Sequence, residues 1–296
     1  MDTQWMQTFV AVADAESFSI AAERLGSTQS TVSRHVASLE RHLGARLLSR
    51  TTRSLTLTSE GSAFYEAAIR ALAALDEAQS AVGPVGEPQG MLRITTPLTL
   101  AESRLMAIMS DFLSRYPRIQ VDLRISDHAL NLVADSIDVA IRVGQLVDST
   151  LVARRVGVAR RVMVASPAYL ARAGSPGSVA DLSAHACLGY TLLAHNGRWR
   201  FTDGTEVQVR GSLRADSPNA LKAAALAGIG IVVNARWLFE RELAEGLLVE
   251  LLPKTPPEPM PIHAVLPSGR HVSARARLFV DHVAAAFARD PLCAPD

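Results

Sequence analysis

Apolar side chains recur at helical spacing through the start of the chain and are interrupted twice. The pattern predicts a helix over 3–14, a short second helix starting at Phe18, and a third helix over about 29–42. A turn containing a glycine separates the second helix from the third, and Thr28 is placed to cap the third. Two small alanines lie where the short helices must cross, so this stretch is typical of a helix-turn-helix.

The first two turns of the third predicted helix carry hydrogen-bonding side chains. A recognition helix meets base edges with these turns, and there Gln can bond adenine and Arg can bond guanine bidentately. A polar solvent face on a small three-helix bundle is the alternative interpretation. The candidate DNA-contacting residues of this helix are Thr28, Gln29, Ser30, Thr31, Ser33 and Arg34.

A strand pattern follows the third helix. The segment 55–58 alternates Leu with Thr, as a half-buried strand does. Arg50 and Arg53 lie in the preceding turn, so the segment predicts a β-wing whose cations suit phosphate or minor-groove contact. A wing that follows a helix-turn-helix favours DNA binding over a plain helical bundle.

A long helix is predicted next, with apolar residues at alternating steps of four and three over nearly three heptads. Such a seam is typical of helix pairing, and packing on the chain's own domain is the alternative. The candidate oligomerisation residues are Phe64, Ala68, Ala71, Leu75, Ala78 and Val82. Residues 83–90 contain three Gly and two Pro and predict a hinge.

The rest of the chain alternates strand and helix patterns. Strands are predicted over 91–95, 121–125 and 138–143, with a helix over 100–116 and a short helix near 131–134 between them. This order indicates an α/β domain with a largely parallel sheet.

A second α/β unit is predicted from about 166 to 263, after a strand-rich stretch over 151–165. It contains a helix over 219–227 and a strand over 229–233, and an amphipathic helix follows over 274–289. Two lobes joined by crossing strands would leave a cleft between them.

Candidate ligand-contacting residues follow from the strand order. In open α/β sheets, ligands collect beyond the carboxyl ends of strands, near helix N-termini. A plain helix cap is the alternative role for each Thr or Ser, and a surface ion pair is the alternative for Arg142. The candidates, with Leu100 and Tyr190 as apolar walls, are Thr96, Thr99, Leu100, Ser126, Arg142, Tyr190, Thr191, Ser217 and Asn219.

Composition is ordinary for a globular protein. The chain has 296 residues, enough for two or three domains, with 48% hydrophobic and 20% charged residues. These values exclude a disordered, collagen-like or purely coiled-coil protein. The longest apolar run, 223–233, is shorter than the roughly 18 residues that a membrane helix needs, and no secretory signal is visible. No membrane partner is expected.

The formal net charge of +1 hides a local asymmetry. Residues 24–53 hold six Arg against one acid, whereas residues 59–90 hold five acids against one Arg. Positive potential confined to one small domain suits a polyphosphate partner. A solvated basic face is the alternative interpretation of the same charge.

No motif favours catalysis or metal binding. The sequence lacks a nucleophile elbow, a P-loop and a zinc-protease motif, and its histidines lack metal-ligand spacing. Gly228-Ile229-Gly230 lacks a third glycine and precedes a strand, so it does not predict a dinucleotide site. Cys187 and Cys293 form no CxxC pair and fit a reducing cytosol. No catalytic residue, metal or cofactor is expected.

The head of the chain carries a dense set of residues at fixed spacing. They are Ala21-Ala22, Gln29-x-x-Val32-Ser33-Arg34, Leu39-Glu40, Leu43-Gly44, and Arg50 and Arg53 followed by Leu57-Thr58-x-x-Gly61. Over residues 1–61 this set resembles the LysR-type transcriptional regulator family. Leu48 stands where the family usually has Phe and Ser30 where Pro is frequent, and neither departure removes a polar contact.

The later part of the chain resembles the periplasmic-binding-protein-like effector domain of the same regulators, in pieces at 94–97, 112–117, 137–144, 165–170 and 227–231. The resemblance covers nearly the whole chain and implies an α/β fold with an all-α winged-helix head. The implied domains are a winged helix-turn-helix DNA-binding domain over 1–61, a linker (dimerisation) helix and hinge over 62–90, and an effector-binding domain over 91–296. Within the last, lobe I would span about 91–163 and 265–296, and lobe II about 164–264.

The resemblance also implies sites and partners. Linker helices would pair antiparallel in a dimer, and a homotetramer is expected. Double-stranded promoter DNA would be the main partner, with RNA polymerase a further candidate, in the bacterial cytoplasm. A small-molecule effector of unknown identity would bind between the lobes, faced by Thr99, Ser126, Tyr190, Thr191, Ser217 and Asn219.

We therefore expect a sequence-specific transcription regulator that is switched by a small molecule. Two other classes compete with this hypothesis. A periplasmic location would favour a solute-binding protein, against which the DNA-reading head argues. A turnover screen against metabolites would reveal an enzyme, against which the absent catalytic motifs argue.

Overall fold

The computed structural model describes residues 2–50, 55–82, 88–128, 132, 135, 137–146, 152–192, 197–267 and 272–295. It divides into two compact units, Met1–Glu87 with Gly269–Ala274 and Pro88–Ser268 with Arg275–Asp296. Each unit has its own hydrophobic core.

The N-terminal unit is a helical head with a two-stranded wing. Its elements are α1 (Thr3–Ala15), α2 (Phe18–Arg24), α3 (Gln29–Leu43), β1 (Leu48–Arg50), β2 (Leu55–Leu57) and α4 (Ser59–Val82). The side chains of Asp2, Ser17 and Thr28 cap the first three helices by accepting from backbone N–H groups. Strands β1 and β2 pair antiparallel. The expected all-α head therefore also contains a hairpin, where the alternating Leu and Thr predicted a wing.

The core of the head is made by the apolar stripes of its helices. Phe9, Val12, Val36 and Leu39 are each at most 2% exposed, and the small Ala21 of α2 is fully buried among them. Burying one large apolar side chain contributes roughly 1.5–3 kcal/mol relative to leaving it exposed. Because the apolar face of α3 is buried in this core, the polar face at its N-terminal end points into solvent.

The junction between the wing and α4 explains the Leu57-Thr58-x-x-Gly61 pattern. Thr58 Oγ1 accepts from Gly61 N at 2.9 Å and donates to Arg46 O at 2.7 Å. A Cβ atom at Gly61 would lie 1.9 Å from Leu47 O. Only glycine therefore lets α4 begin so close to this stretch of backbone.

The first two residues of the predicted pairing seam belong to the head itself. Ala68 is 1% exposed in the head core, and the Phe64 ring packs on Phe9 with centroids 5.6 Å apart. The interpretation of Ala68 as an oligomerisation residue is corrected, because the same spacing fits a helix that packs on its own domain. Phe64 is half-buried and stays a candidate. Leu75 is 38% exposed and Ala71 is half-buried. The side chains of Ala78 and Val82 lie outside the described residues.

The C-terminal unit has two α/β lobes. Its elements are β3 (Gly90–Thr96), α5 (Leu98–Leu100), a π-turn (Ala101–Leu105), α6 (Met106–Arg115), β4 (Ile119–Ile125), β5 (Val139–Val143), β6 (Val152–Ala159), β7 (Arg161–Ala165), α7 (Pro167–Ala173), a 3₁₀ turn (Ala180–Ala184), β8 (Gly189–Tyr190), β9 (Arg198–Arg200), β10 (Glu206–Gln208), β11 (Arg214–Ala215), α8 (Pro218–Leu226), β12 (Val232–Ala235), a 3₁₀ turn (Arg236–Leu238), α9 (Glu240–Ala244), β13 (Val249–Leu251), β14 (Met260–Leu266) and α10 (Ala274–Phe287).

Lobe I is built on a sheet of order β4-β3-β5-β14-β6. Strand β3 runs parallel to β4 and β5, whereas β14 runs antiparallel to β5 and β6. The expectation of a largely parallel sheet is therefore correct for one side of this sheet and wrong for the other. Strand β14 returns from lobe II in the opposite direction, and a run of buried apolar residues does not reveal strand direction.

Lobe II contains the antiparallel sheet β12-β7-β13, the parallel pair β8-β11 and the hairpin β9-β10. Strand β7 thus belongs to lobe II from Arg161 onward, and β14 belongs to lobe I from Met260 onward. Both borders precede the expected ones by a few residues. The first crossing, at Arg160, joins two strands with similar apolar runs, so the pattern does not mark where one sheet ends and the other begins. The second crossing runs through the proline-rich residues 252–259.

Smaller differences concern single elements. The helix predicted over 100–116 begins earlier and contains a π-turn, which adds a residue to one turn and places buried Leu100 and Leu105 five positions apart. The strand predicted over 229–233 begins at Val232. The short helix predicted near 131–134 falls outside the described residues, apart from Leu132. None of the helices in the described part of the chain has the length and apolarity to cross a membrane.

Candidate functional site

Hydroxyl groups build the N-terminus of α3. Thr28 Oγ1 accepts from Thr31 N at 3.3 Å and lies 2.9 Å from the hydroxyls of both Ser30 and Thr31. Thr28 and Thr31 therefore stabilise the helix start, and Ser30 is linked to them. This network orders the first turn of the helix before any partner arrives.

The side chains of Gln29 and Arg34 are exposed and form no hydrogen bond or ion pair with any described residue. Positions four apart on a helix share a face, so Gln29 lies beside Ser33, and Ser30 beside Arg34. Ser33 is half-buried and has a partner of its own. The two long side chains are thus free to bond the edges of bases.

Polar contacts fix α3 on the head. Thr8 Oγ1 donates to Gln4 O at 2.7 Å, so it accepts from His35 Nδ1 at 3.0 Å and joins α1 to α3. At the other end of α3, Glu40 Oε1 accepts from Leu47 N at 2.8 Å and from the next N–H of the chain. The reading face and the base of the wing are therefore held by the same helix. The Arg50 side chain and all of Arg53 lie outside the described residues.

A cleft of about 120 Å³ lies between lobes I and II. Three of the candidate ligand-contacting residues line it, namely Thr99, Arg142 and Tyr190. The other residues that line it are Pro97, Asp127, Val143, Ala159, Arg161, Leu192, Pro218, Val233, Asn234, Ala235, Trp237 and Met260.

Arg142 supplies a cation to this cleft. Its guanidinium donates to Ser126 O at 2.6 Å and to Thr95 Oγ1 at 3.4 Å. Burial lowers the pKa of Arg142, and the Asp127 carboxylate opposes that shift. The guanidinium forms no salt bridge with any described carboxylate, so the described part of the chain does not support the alternative of a surface ion pair.

Two buried polar atoms in the cleft lining have no hydrogen-bond partner among the described residues. They are Asp127 Oδ1, an acceptor, and Trp237 Nε1, a donor. Leaving such a group unpaired costs about 1–3 kcal/mol, so each atom is a candidate hydrogen-bond partner for a bound ligand. Sequence reasoning missed both, although Asp127 directly follows Ser126 beyond the end of β4, where the strand-end rule could have found it.

Tyr190 stays neutral at the cleft. Burial, followed by the charges of Asp127 and Asp216, raises the pKa of Tyr190 to about 12. Its phenol therefore keeps its proton at neutral pH and can donate a hydrogen bond. With two guanidiniums, one carboxylate and one indole N–H, the cleft suits a small molecule that carries both an anionic group and a donor.

The structure does not bring the other six candidates into the cleft lining. Leu100 and Thr96 are fully buried in lobe I, so Leu100 is a core residue and the wall assignment is corrected. The Ser126 hydroxyl donates to His128 O at 3.1 Å, and Ser217 caps α8 by accepting from Ala220 N at 3.4 Å. The remaining two, outside the lining, are exposed Thr191 and half-buried Asn219.

The described residues do not gather into a metal site or a reactive thiol. They contain no group of three or more His, Cys, Asp or Glu side chains that could hold a metal ion. Burial raises the pKa of the thiols of Cys187 and Cys293 to about 12 each. Neither is a ready nucleophile at neutral pH, because the thiolate is the reactive form.

Known proteins match nearly the whole chain. A family model described as a bacterial regulatory helix-turn-helix protein of the lysR family matches residues 3–62, and a LysR substrate binding domain model matches residues 86–288. An HTH-type transcriptional repressor of Pseudomonas aeruginosa is 38% identical over 296 residues, covering 97% of this chain and 92% of that protein.

A relative with a solved structure is the HTH-type transcriptional regulator CrgA of Neisseria meningitidis. It is 37% identical over 284 residues, covering 95% of each protein. The solved structure of CrgA, described as a LysR-type transcriptional regulator, matches with a TM-score of 0.59 and 36% identity over 96% of this chain and 98% of that one.

Proposed function

The chain belongs to the LysR family of bacterial transcriptional regulators, and from this premise we propose that α3 reads promoter bases while the cleft between the lobes holds the controlling effector. Regulators of this family bind DNA, bind a small-molecule effector and oligomerise. Which residues of this chain carry out each of these steps is what we propose. The observation that carries it is the exposed pair of Gln29 and Arg34, which have no partner among the described residues.

Base reading rests on the chemistry of these two side chains. The Gln29 amide can bond adenine N6 and N7, and the Arg34 guanidinium can bond guanine O6 and N7. Ser30 and Ser33 lie between them and suit shorter contacts, and Thr28 and Thr31 order the turn. Arg50 and Arg53 of the wing region are assigned to phosphates, which fix position and carry no sequence information.

Effector recognition rests on the unpaired atoms of the cleft. A carboxylate on the effector would accept from Trp237 Nε1 and pair with Arg142, while an amino or hydroxyl group would donate to Asp127 Oδ1. The cleft is smaller than the roughly 300–1,000 Å³ of sites for drug-sized ligands. We therefore assign it to a small hydroxy or amino acid. Ser126, Thr191, Ser217 and Asn219 stay candidates for contacts in a state that admits a larger ligand.

The same proposal covers the organisation of the chain. The DNA-binding domain is assigned to 1–61, the linker helix and hinge to 62–90, and the effector domain to 91–296. The exposed part of α4, with Leu75, is assigned to pairing between copies in a dimer or tetramer. The protein acts as a regulator without catalytic turnover, in the cytoplasm, where RNA polymerase is a further partner.

Footprinting on the intergenic DNA beside the chain's own gene tests base reading. Arg34→Ala should cost roughly 1–3 kcal/mol and relax specificity at one base pair, whereas Arg53→Ala should weaken all sequences alike and flatten the salt dependence. Equal footprints for wild type and a folded Gln29→Ala/Arg34→Ala variant would remove the assignment.

A further inference from the structure

Lobe II contains a second cavity, of about 480 Å³, beside the β9-β10 hairpin. Four arginines line it, on β7, on β9, and on the stretch that leads from β10 into β11. They are Arg161, Arg198, Arg210 and Arg214, and the ring of Trp199 forms part of the same wall. Among the described residues that line the cavity there is no Asp or Glu.

The positive charge of this cavity is poorly neutralised. Arg210 and Arg214 form no ion pair or side-chain hydrogen bond with any described residue. Arg198 shares the single carboxylate of Glu206 with Arg200, at 3.7 Å and 2.7 Å respectively. Among the described residues, Arg210 and Arg214 thus have no counter-charge, and Arg198 shares one carboxylate with Arg200.

Arg161 is half-buried, whereas the other three arginines are exposed. Its Nε donates to the backbone oxygen of Glu258, and burial lowers the pKa of Arg161 to about 10. A shift in this direction means that the charged form has lost more solvation than its surroundings return. An anion beside Arg161 would return part of that loss.

The missing side chain at Gly189 leaves room for the Arg214 side chain at the edge of the cavity. A Cβ atom at Gly189 would lie 2.8 Å from Arg214 Cγ. The aliphatic stem of Arg214 can lie across this strand only because position 189 has no side chain. The parallel pairing of β8 with β11 holds the two residues opposite each other.

We propose that this cavity, which adjoins the cleft between the lobes and shares Arg161, Tyr190 and Val233 with its lining, is a second ligand site that binds a small organic molecule with a flat ring and two or more carboxylate or phosphate groups. Guanidinium groups match planar anions with paired hydrogen bonds, and a flat ring can stack on Trp199. The cavity has the size of sites for drug-sized ligands, roughly 300–1,000 Å³. Trp199 and the three arginines Arg198, Arg210 and Arg214 line this cavity and not the cleft, so binding here can be tested apart from the proposed function of the cleft.

The three tryptophans of the chain separate the two sites in one experiment. Trp5 lies in the head, Trp199 lines the lobe II cavity and Trp237 lines the cleft between the lobes. Full-length protein labelled with 5-fluorotryptophan should give one ¹⁹F resonance for each, assigned with single Trp→Phe variants. The probe is benzene-1,3,5-tricarboxylate, with benzoate as the monoanion and inorganic pyrophosphate as the anion without a ring.

The tricarboxylate should shift the Trp199 resonance in a saturable way and leave Trp5 unmoved. Benzoate should bind about tenfold or more weakly, because one charge-assisted contact is worth roughly 1.5–3 kcal/mol. Pyrophosphate binding as tight as that of the tricarboxylate would retain the anion site and remove the flat ring from its ligand. Movement of Trp237 without Trp199 would place the anion in the cleft and overturn the second site, as would the absence of saturation at about 10 mM.

Variants of the wall test the assignment by calorimetry. Arg210→Gln and Arg214→Gln should each weaken tricarboxylate binding about tenfold, and Gly189→Ala should weaken it by displacing Arg214. Arg241→Gln removes one charge from an exposed position of the same lobe outside the cavity and should change nothing. If Arg210→Gln and Arg241→Gln have equal effects in proteins of unchanged melting temperature, the anion responds to net charge and the site is wrong.

Discussion

The reading face of α3 and the cleft between the lobes hold their unpaired polar groups in opposite surroundings. Gln29 and Arg34 project from the first two turns of α3 into solvent, where water satisfies them until DNA replaces it. Asp127 Oδ1 and Trp237 Nε1 are buried and have no hydrogen-bond partner among the described residues, and a buried polar group left unpaired costs about 1–3 kcal/mol. The reading face of α3 is therefore stable in water without its DNA partner. The cleft, in contrast, would be stabilised by a small ligand that forms hydrogen bonds with both buried atoms.

The largest expected effect is on the head side of this comparison. Gln29→Ala/Arg34→Ala removes two base contacts worth roughly 1–3 kcal/mol each, so specific DNA affinity should fall about a hundredfold or more. Fluorescence anisotropy with promoter DNA measures the loss. Arg41→Ala, on the same helix but bonded to Ser38 and Ala37, is the matched control and should cost little beyond its charge. Equal losses for both variants would mean that α3 contributes charge alone.

A pair of substitutions on α4 tests whether two copies of the chain must pair before their reading faces bind DNA. Ala68→Glu places an unpaired charge in the head core, which costs on the order of 3–5 kcal/mol, so the head should melt at much lower temperature. Leu75→Glu alters an exposed position and should leave the melting temperature unchanged. Light scattering should instead show a smaller species for Leu75→Glu, with weaker DNA binding because two half-sites are no longer read together. Unchanged mass and affinity would remove Leu75 from the pairing surface.

The cleft side of the comparison is tested by Trp237→Phe. This change keeps an aromatic ring but removes the Nε1 donor together with part of the indole ring, so binding of a carboxylate effector should weaken by at least roughly 1.5–3 kcal/mol. Calorimetry with a panel of small hydroxy and amino acids measures the loss, and Trp199→Phe is the control of equal chemistry outside the cleft. DNA affinity without effector should stay at the wild-type value. An effector that binds both variants as tightly as wild type occupies another site.

The smallest effect is expected at Ser30, whose hydroxyl already forms a hydrogen bond with Thr28 at the start of α3. Ser30→Ala removes one exposed hydrogen bond to Thr28, so the free energy of unfolding should change by less than about 1 kcal/mol. If Ser30 also contacts a base, the variant will change which base pair is preferred at that position of the footprint. A stability loss much larger than this would show that the hydroxyl network carries the helix start.

The two regions also differ in how well the sequence predicts them. The head follows from neighbours in sequence: caps, apolar stripe and polar face lie within one helix, so the winged helix-turn-helix and the exposure of Gln29 were predictable. The cleft is assembled from segments as distant as Pro97 and Met260. The strand-end rule found Thr99 and Arg142, but Trp237 carries no local pattern that would mark it.

Packing partners were the other source of error. The spacing of Phe64 and Ala68 is the same whether α4 packs on its own head or on a second copy, and only the contacts of the fold decide. Leu100 resembles a pocket wall by position, yet it points into the core of lobe I. In both cases the sequence shows that a side chain is buried without showing against what.

Control of DNA binding by the polar groups of the cleft is the central claim, and Asp127→Asn tests it most directly. The change keeps the size of the side chain and removes its negative charge. Anisotropy would measure promoter affinity of wild type and variant with and without the acid from the panel that shifts wild-type affinity most. We expect equal affinities without effector and a shift in wild type alone, because an effector acts only through unequal affinity for two states. An effector response in Asp127→Asn equal to that of wild type would contradict the account.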